Sequence, residues 1–201
     1  PAGVDASRIV LFGLGEKDKR SASTLEKAGA AVAKLLLTGG ETTLTFALAG
    51  ETDAEGAART GLGARLAAYR YDQFRTKLKD EQKPSLVNVT ITASDVAAAE
   101  AEWAGWGAVA DGVDLARDVT NLPPNVLYPA SYAEKIEGLA EHGLEIEIIG
   151  EDKMRELGMG SLLGVSQGSE FEAKIAIMKW SGGPDGEAPL LFVGKGLTFD
   201  S

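Results

Sequence analysis

Apolar and polar residues along the chain switch between two periods, and the switching predicts strand and helix in turn. Arg8–Gly15, RIVLFGLG, is a short apolar run closed by glycines, the pattern of a buried strand. Ser23–Leu37 then sets Leu25, Ala28, Val32, Leu35 and Leu36 at helical spacing, and Gly39 and Gly40 stop it. Thr42–Leu48 alternates as a strand does. Glu51–Tyr69 gathers Ala57, Ala58, Leu62, Leu66 and Ala67 on one face of a second helix, whose Gly56, Gly61 and Gly63 suit close packing on a sheet. Ser85–Thr92 reads as a further strand.

The longest helical stretch is Asp95–Val119, with Ser94 or Asp95 placed to cap it. At about 37 Å it is long enough to bridge two domains, and Pro123 and Pro124 forbid its continuation. Ser131–His142 predicts a helix, Leu144–Ile149 a strand and Glu151–Leu157 a short helix ended by Gly158. The block GMGSLLGVSQGS, residues 158–169, follows a helix and enters a strand, the reverse of a dinucleotide-binding loop. Lys174–Trp180 is a strand, and Leu190–Val193 has the unbroken apolar pattern of a strand buried on both faces. This alternation predicts an α/β protein with a mixed or parallel sheet covered by helices. The expected division is an N-terminal α/β domain over residues 1–93, a linker helix over 94–119 and a second domain over 120–201.

Composition narrows the function. The 201 residues are 44% hydrophobic and 25% charged, with a net charge of −10. That charge opposes broad attraction to nucleic acid or an anionic membrane, so neither is an expected partner. No run approaches the roughly 18 apolar residues of a membrane span. Cysteine is absent, which removes disulfides, thiolate metal sites and a cysteine nucleophile and fits a cytoplasmic protein. The single histidine, His142, excludes zinc motifs of the H-E-x-x-H kind, and its place before Gly143 reads as a helix C-terminus. Arg70, Arg75, Lys77, Lys79 and Lys83 lie among Tyr69, Tyr71 and Phe74, a mixture suited to single-stranded nucleic acid. Asp72, Asp80 and Glu81 dilute it, and a solvated helix end and loop is the better reading. Gly13-x-Gly15 has Asp18 where a dinucleotide loop needs its third glycine.

The chemistry gathers at the end of the last apolar run. A lone amine, Lys195, and a lone carboxylate, Asp200, follow Val193, at the carboxyl end of a predicted strand where α/β sheets bind ligands. A fully extended chain would hold them about 17 Å apart, so sharing a ligand requires a bend, which Gly196 permits. A carboxylate is an ordinary ligand for a hard cation. A lysine amine becomes one once a buried site or a neighbouring dication has driven off its proton.

VGKGLTFDS, residues 193–201, resembles the metal-binding signature of the leucyl aminopeptidase family of two-metal exopeptidases. DLARDVTNLPPNVLYP from Asp114 and LGMGSLLGVSQGS from Leu157 are similar to two further blocks of that family. The resemblance implies a macrodomain-like N-terminal α/β domain, a linker helix and the beginning of a mixed-sheet α/β catalytic domain. It implies that Lys195 binds one metal and Asp200 bridges two. The cofactors would be two divalent ions, manganese or zinc, with magnesium or cobalt as alternatives, together with bicarbonate. The family's activity is release of N-terminal, leucine-like residues from peptides with a free N-terminus, by a hydroxide bridging the metals, in a cytoplasmic homohexamer. Family members are longer, so the chain is expected to be an internal stretch, inactive alone, with further ligands and the catalytic residues beyond Ser201 and none nameable within it. The competing reading is a non-enzymatic α/β binding or regulatory module that binds DNA in a full-length oligomer. Nucleotide binding is a third, weakened by the faulty glycine motifs.

Overall fold

The computed structural model describes residues 3, 5–48 and 53–198. The chain divides into two units, residues 1–118 and 119–201, each described here by itself.

In the first unit the order is α1 (Ala22–Leu36), β1 (Thr43–Phe46), α2 (Ala54–Ala68), β2 (Asn88–Ile91) and most of α3 (Val96–Asn121). Ser21 starts α1 with a reciprocal cap: its hydroxyl accepts the Thr24 N–H at 3.4 Å, and the Thr24 hydroxyl accepts the Ser21 N–H at 3.2 Å. Such a cap contributes about 1 kcal/mol. The buried residues Ala28, Gly29, Val32, Ala33 and Leu36 recur at helical spacing and give α1 one inward face. Asp53 caps α2 by accepting the Gly56 N–H at 2.8 Å, and Asp95 accepts the Ala98 N–H at 3.0 Å before α3.

The two helices α1 and α2 touch backbone to backbone. A Cβ on Gly29 would overlap the Thr60 carbonyl, and one on Gly63 would overlap the Glu26 carbonyl. The glycines expected to press α2 on a sheet therefore divide their work: Gly63 meets α1, while a Cβ on Gly61 would lie 3.2 Å from the Ile91 and Trp103 side chains. Thr60, fully buried, satisfies its hydroxyl by donating to the Gly56 carbonyl at 2.8 Å. Val32, Ala33, Leu36, Phe46 and Ala64 form the core cluster, with Val10, Leu44, Leu48 and Ile91 against it.

β1 and β2 pair in parallel, Thr43 opposite Asn88 and Phe46 opposite Ile91. Arg8–Gly15 does not join them as the strand its pattern predicts. Val10 packs against the core cluster, Leu11 is 93% exposed, and the segment is tied by Arg8, whose Nη1 donates to Glu41 Oε1 at 2.7 Å. An apolar run becomes a buried strand only when a neighbour completes its ladder and both faces are covered, and among the described residues no strand pairs with it. The basic segment is loop, with a single 3₁₀ turn at Asp80–Gln82.

The second unit holds α4 (Pro129–Glu137), β3 (Glu145–Ile149), α5 (Glu151–Glu156), α6 (Gly160–Ser166) and β4 (Ile175–Lys179). β3 and β4 are antiparallel, Glu145 opposite Lys179 and Ile149 opposite Ile175. The Ser131 hydroxyl accepts the Tyr128 N–H at 3.0 Å and donates to the Val126 carbonyl at 2.8 Å, which ties the turn after the prolines to α4. α4 gives way to a 3₁₀ turn, Gly138–His142, closed by Gly143 at φ 87°. Met154 of α5 is fully buried. The glycine block 158–169 builds α6 rather than a loop into a strand: Gly158 takes the left-handed turn at φ 70°, and Ser161, Leu162 and Leu163 carry the helix.

Candidate metal-binding segment

Beyond β4 the chain turns at Gly186, φ 85°, with the Glu187 N–H donating to the Pro184 carbonyl at 3.3 Å. It then runs irregularly through the segment that carries the signature. Leu190–Val193 forms no strand, against its pattern: the four side chains are 85–90% exposed, and no described strand lies beside them. Lys195 is exposed between Gly194 and Gly196. A Cβ on Gly196 would lie 3.5 Å from Tyr132 Cε1, so the bare backbone there rests in van der Waals reach of α4. Asp200, the other predicted ligand, lies outside the described residues.

Two donor types are thus in question, one amine and one carboxylate, and both suit a divalent cation once the amine is neutral. Their number falls short of the ligands that two dications need. Among the described residues no group of three or more His, Cys, Asp or Glu could hold a metal ion. The structure therefore shows where Lys195 is presented and brings no second described ligand to it.

The other sequence candidates are placed plainly. His142 is exposed at the end of its 3₁₀ turn, 3.6 Å from the Glu141 carboxylate. In the basic loop Arg70 lies 3.5 Å from Asp72 and Lys83 2.7 Å from Asp80, so two of its five cations are countered locally.

One polar cluster escaped the sequence reading. Glu151, first residue of α5, accepts the Ala173 N–H at 3.0 Å and the Ser166 hydroxyl at 3.2 Å, while the Glu151 N–H donates to Glu172 at 2.7 Å. The Ala173 N–H holds the Glu151 carboxyl below its ordinary value, and the Lys174 amine followed by the Glu151 N–H does the same for Glu172. The two carboxylates clamp the loop between α6 and β4. The only hint in the sequence is an acid at the start of a helix, too common a pattern to single out.

Residues 114–201 match the model of the catalytic domain of the cytosol aminopeptidase family, and residues 1–78 match the model of that family's N-terminal domain. The chain belongs to the cytosol aminopeptidase family. Members of this family are hydrolases and metal-dependent. A probable cytosol aminopeptidase of Methylobacterium radiotolerans is 45% identical over 210 residues, covering 100% of this chain and 40% of the relative. The chain spans about 40% of the length of the curated relatives it matches. Among solved structures, the bottromycin maturation enzyme BotP in complex with Mn aligns with TM-score 0.67 and 29% identity, over 81% of this chain and 34% of its own. A tomato leucine aminopeptidase variant aligns with TM-score 0.69 over 82% of this chain and 34% of its own; at 23% identity this is a likeness of fold. The family's α/β fold accounts for the two units of helices on small sheets. No helix among the described residues is long and apolar enough to cross a membrane.

Proposed function

We propose that this chain is part of a metal-dependent aminopeptidase that removes N-terminal residues, leucine-like ones preferred, from peptides with a free N-terminus. The observation that carries the reading is the string VGKGLTFDS at residues 193–201, inside the matched catalytic-domain region. Lys195 and Asp200 would hold divalent cations there, manganese or zinc, in a cytoplasmic homohexamer. Bound cations would supply Lewis acidity toward the scissile carbonyl and toward water.

The chain's own residues have three tasks in this scheme. The Lys195 amine would offer its nitrogen lone pair to a bound cation. The Asp200 carboxylate offers two oxygens, ordinary ligands for a hard cation. Gly194 and Gly196 flank the lysine with bare backbone, so nothing beside it blocks a small ligand. With one amine and one carboxylate the chain alone falls short of a complete site, so it should hydrolyse nothing by itself.

The test is hydrolysis of leucine p-nitroanilide by the protein extended to the length of its relatives, with and without manganese or zinc. Activity that depends on metal and drops at least about a thousandfold in both Lys195→Ala and Asp200→Ala supports the reading, on the scale of removing a group that stabilises the transition state. A folded, metal-loaded protein inert toward every N-terminally free peptide would overturn it. A non-enzymatic binding module would then be the reading to pursue.

A further inference from the structure

The chain contains two Asp-Gly pairs, Asp111-Gly112 and Asp185-Gly186, and the fold treats them in opposite ways. An aspartate before a glycine carries a latent reaction of its own. The glycine's backbone nitrogen can attack the aspartate Cγ, and a residue without Cβ leaves that approach unhindered. A hydrogen bond that holds the glycine N–H suppresses the attack, and so does a partner that holds the carboxylate.

At Asp111-Gly112 both restraints are present. The pair lies inside α3 (Val96–Asn121), whose i→i−4 ladder engages the Gly112 N–H. Arg65 Nη2 donates to Asp111 Oδ1 at 2.5 Å. The helix also fixes the torsions on either side, so a ring can close there only after local opening. At Asp185-Gly186 neither restraint is present among the described residues. The two residues are the centre of a β-turn, closed by the Glu187 N–H donating to the Pro184 carbonyl at 3.3 Å, a bond that leaves the Gly186 N–H out. Gly186 takes φ 85° at no steric cost. No described group holds the Asp185 carboxylate by a hydrogen bond or ion pair.

We propose that Asp185 is a site of spontaneous isomerisation to isoaspartate, a modification that the turn permits and that the helix denies to Asp111. The only co-reactant is water. The Gly186 nitrogen bonds to Asp185 Cγ, the carboxyl C–O bond breaks, and the hydroxyl leaves with the amide proton as water, giving a five-membered succinimide. Water then adds at the ring carbonyl that was the Asp185 backbone carbonyl, and the C–N bond there breaks. The nitrogen regains a proton, the backbone now runs through Cβ, and a free carboxylate stands on Cα. Nothing is oxidised or reduced, and the composition is unchanged. The main chain between β4 and Lys195 grows by one carbon. The inference goes beyond the aminopeptidase reading and does not depend on it.

The test is to incubate the 201-residue chain at neutral pH, sample it over weeks, digest it and separate the Asp185 and Asp111 peptides, identifying isoaspartate by electron-transfer fragmentation. A second peak of equal mass is expected at Asp185, growing at least about tenfold faster than at Asp111, because the helical pair reacts only when locally open. In urea that unfolds the chain the two rates should come within about threefold of each other, since neither pair is then held. Asp185→Glu keeps the charge but enlarges the ring, and it should abolish the peak. Asp185→Asn should reach the same succinimide by losing ammonia and yield aspartate and isoaspartate together. No second peak at Asp185 while the unfolded chain forms one, or a folded-state rate at Asp111 equal to that at Asp185, would overturn the proposal. So would a ratio of the two rates that is the same in urea as in the folded chain, which would leave turn and helix without a part. The readout is independent of hydrolysis, so failure here leaves the aminopeptidase reading untouched, and the reverse also holds.

Discussion

Two glycine-rich stretches behave in opposite ways. In α2 Gly63 is buried, and its missing side chain is what lets the backbone of α1 approach. In the signature Gly194 has open space around it. The same residue type thus serves packing in one region and access in the other. The first unit is held by helix-to-helix interlock, whereas the segment presenting Lys195 contributes little to the described core.

The sharpest way to break this comparison is one substitution made twice. Gly63→Ala would gain about 1 kcal/mol of helix propensity, yet its Cβ would overlap the Glu26 carbonyl. Overpacking against backbone should dominate, for a net loss of about 2 kcal/mol, measured by urea denaturation with the first unit's amides as probes. An unchanged midpoint would mean that the helices do not touch as described. Next comes Arg59→Ala. Arg59 lies 2.5 Å from Glu26 of α1, though Glu26 Oε2 accepts no aligned hydrogen bond, and its guanidinium sits 4.2 Å from the centre of the Trp106 ring. Losing the stacking and the pair should cost about 1–2 kcal/mol and shift Trp106 fluorescence; a smaller loss would place the interlock in the glycines alone.

A third effect belongs to the second unit and depends on pH. Glu151 and Glu172 both titrate below the ordinary glutamate range, because their charged forms accept hydrogen bonds in the folded state. Their contribution is therefore complete above the unfolded value of about 4.3 and is lost as pH falls through the lower folded values. Protection of the Ala173 amide against exchange should fall in that acid window, while Glu151→Gln should already show reduced protection at neutral pH. Protection of that amide unaffected by both acidification and Glu151→Gln would exclude the carboxylate clamp. Smallest of all is Gly194→Ala, which should change stability by less than about 0.5 kcal/mol. A loss above about 1 kcal/mol would show the signature to be packed after all.

The helices were the legible part of the fold. Leu25, Ala28, Val32 and Leu36 announce α1 because a single apolar face is enough to specify a helix, and Asp53 and Asp95 mark starts by a local bond. Strands were legible only in pairs. Thr43–Phe46 and Asn88–Ile91 find each other, whereas RIVLFGLG and LLFV have the right composition and no described partner. Composition reports what a strand would like to bury, and pairing is a property of the rest of the molecule. The glycine block 158–169 misled because loop and helix both tolerate spaced glycines, and the leucines between them decided for α6. At the site, Lys195 and Asp200 stood out as the lone amine and carboxylate after an apolar run and through the signature string. The Glu151 clamp was invisible because its partners lie fifteen and more residues away.

The parallel register that sets Thr43 beside Asn88 also governs the order in which the first unit can assemble. Parallel neighbours need a crossover, so β1 has no described partner until α2 and the basic loop have been made and β2 has followed. The α1 and α2 interlock, complete by Ala68, closes a shorter loop and is free to form first. During synthesis at about 5–20 residues per second, that leaves an interval of one to several seconds in which the helical pair stands before β2 has been made. Slow steps and misassembly of this unit should concentrate in that interval.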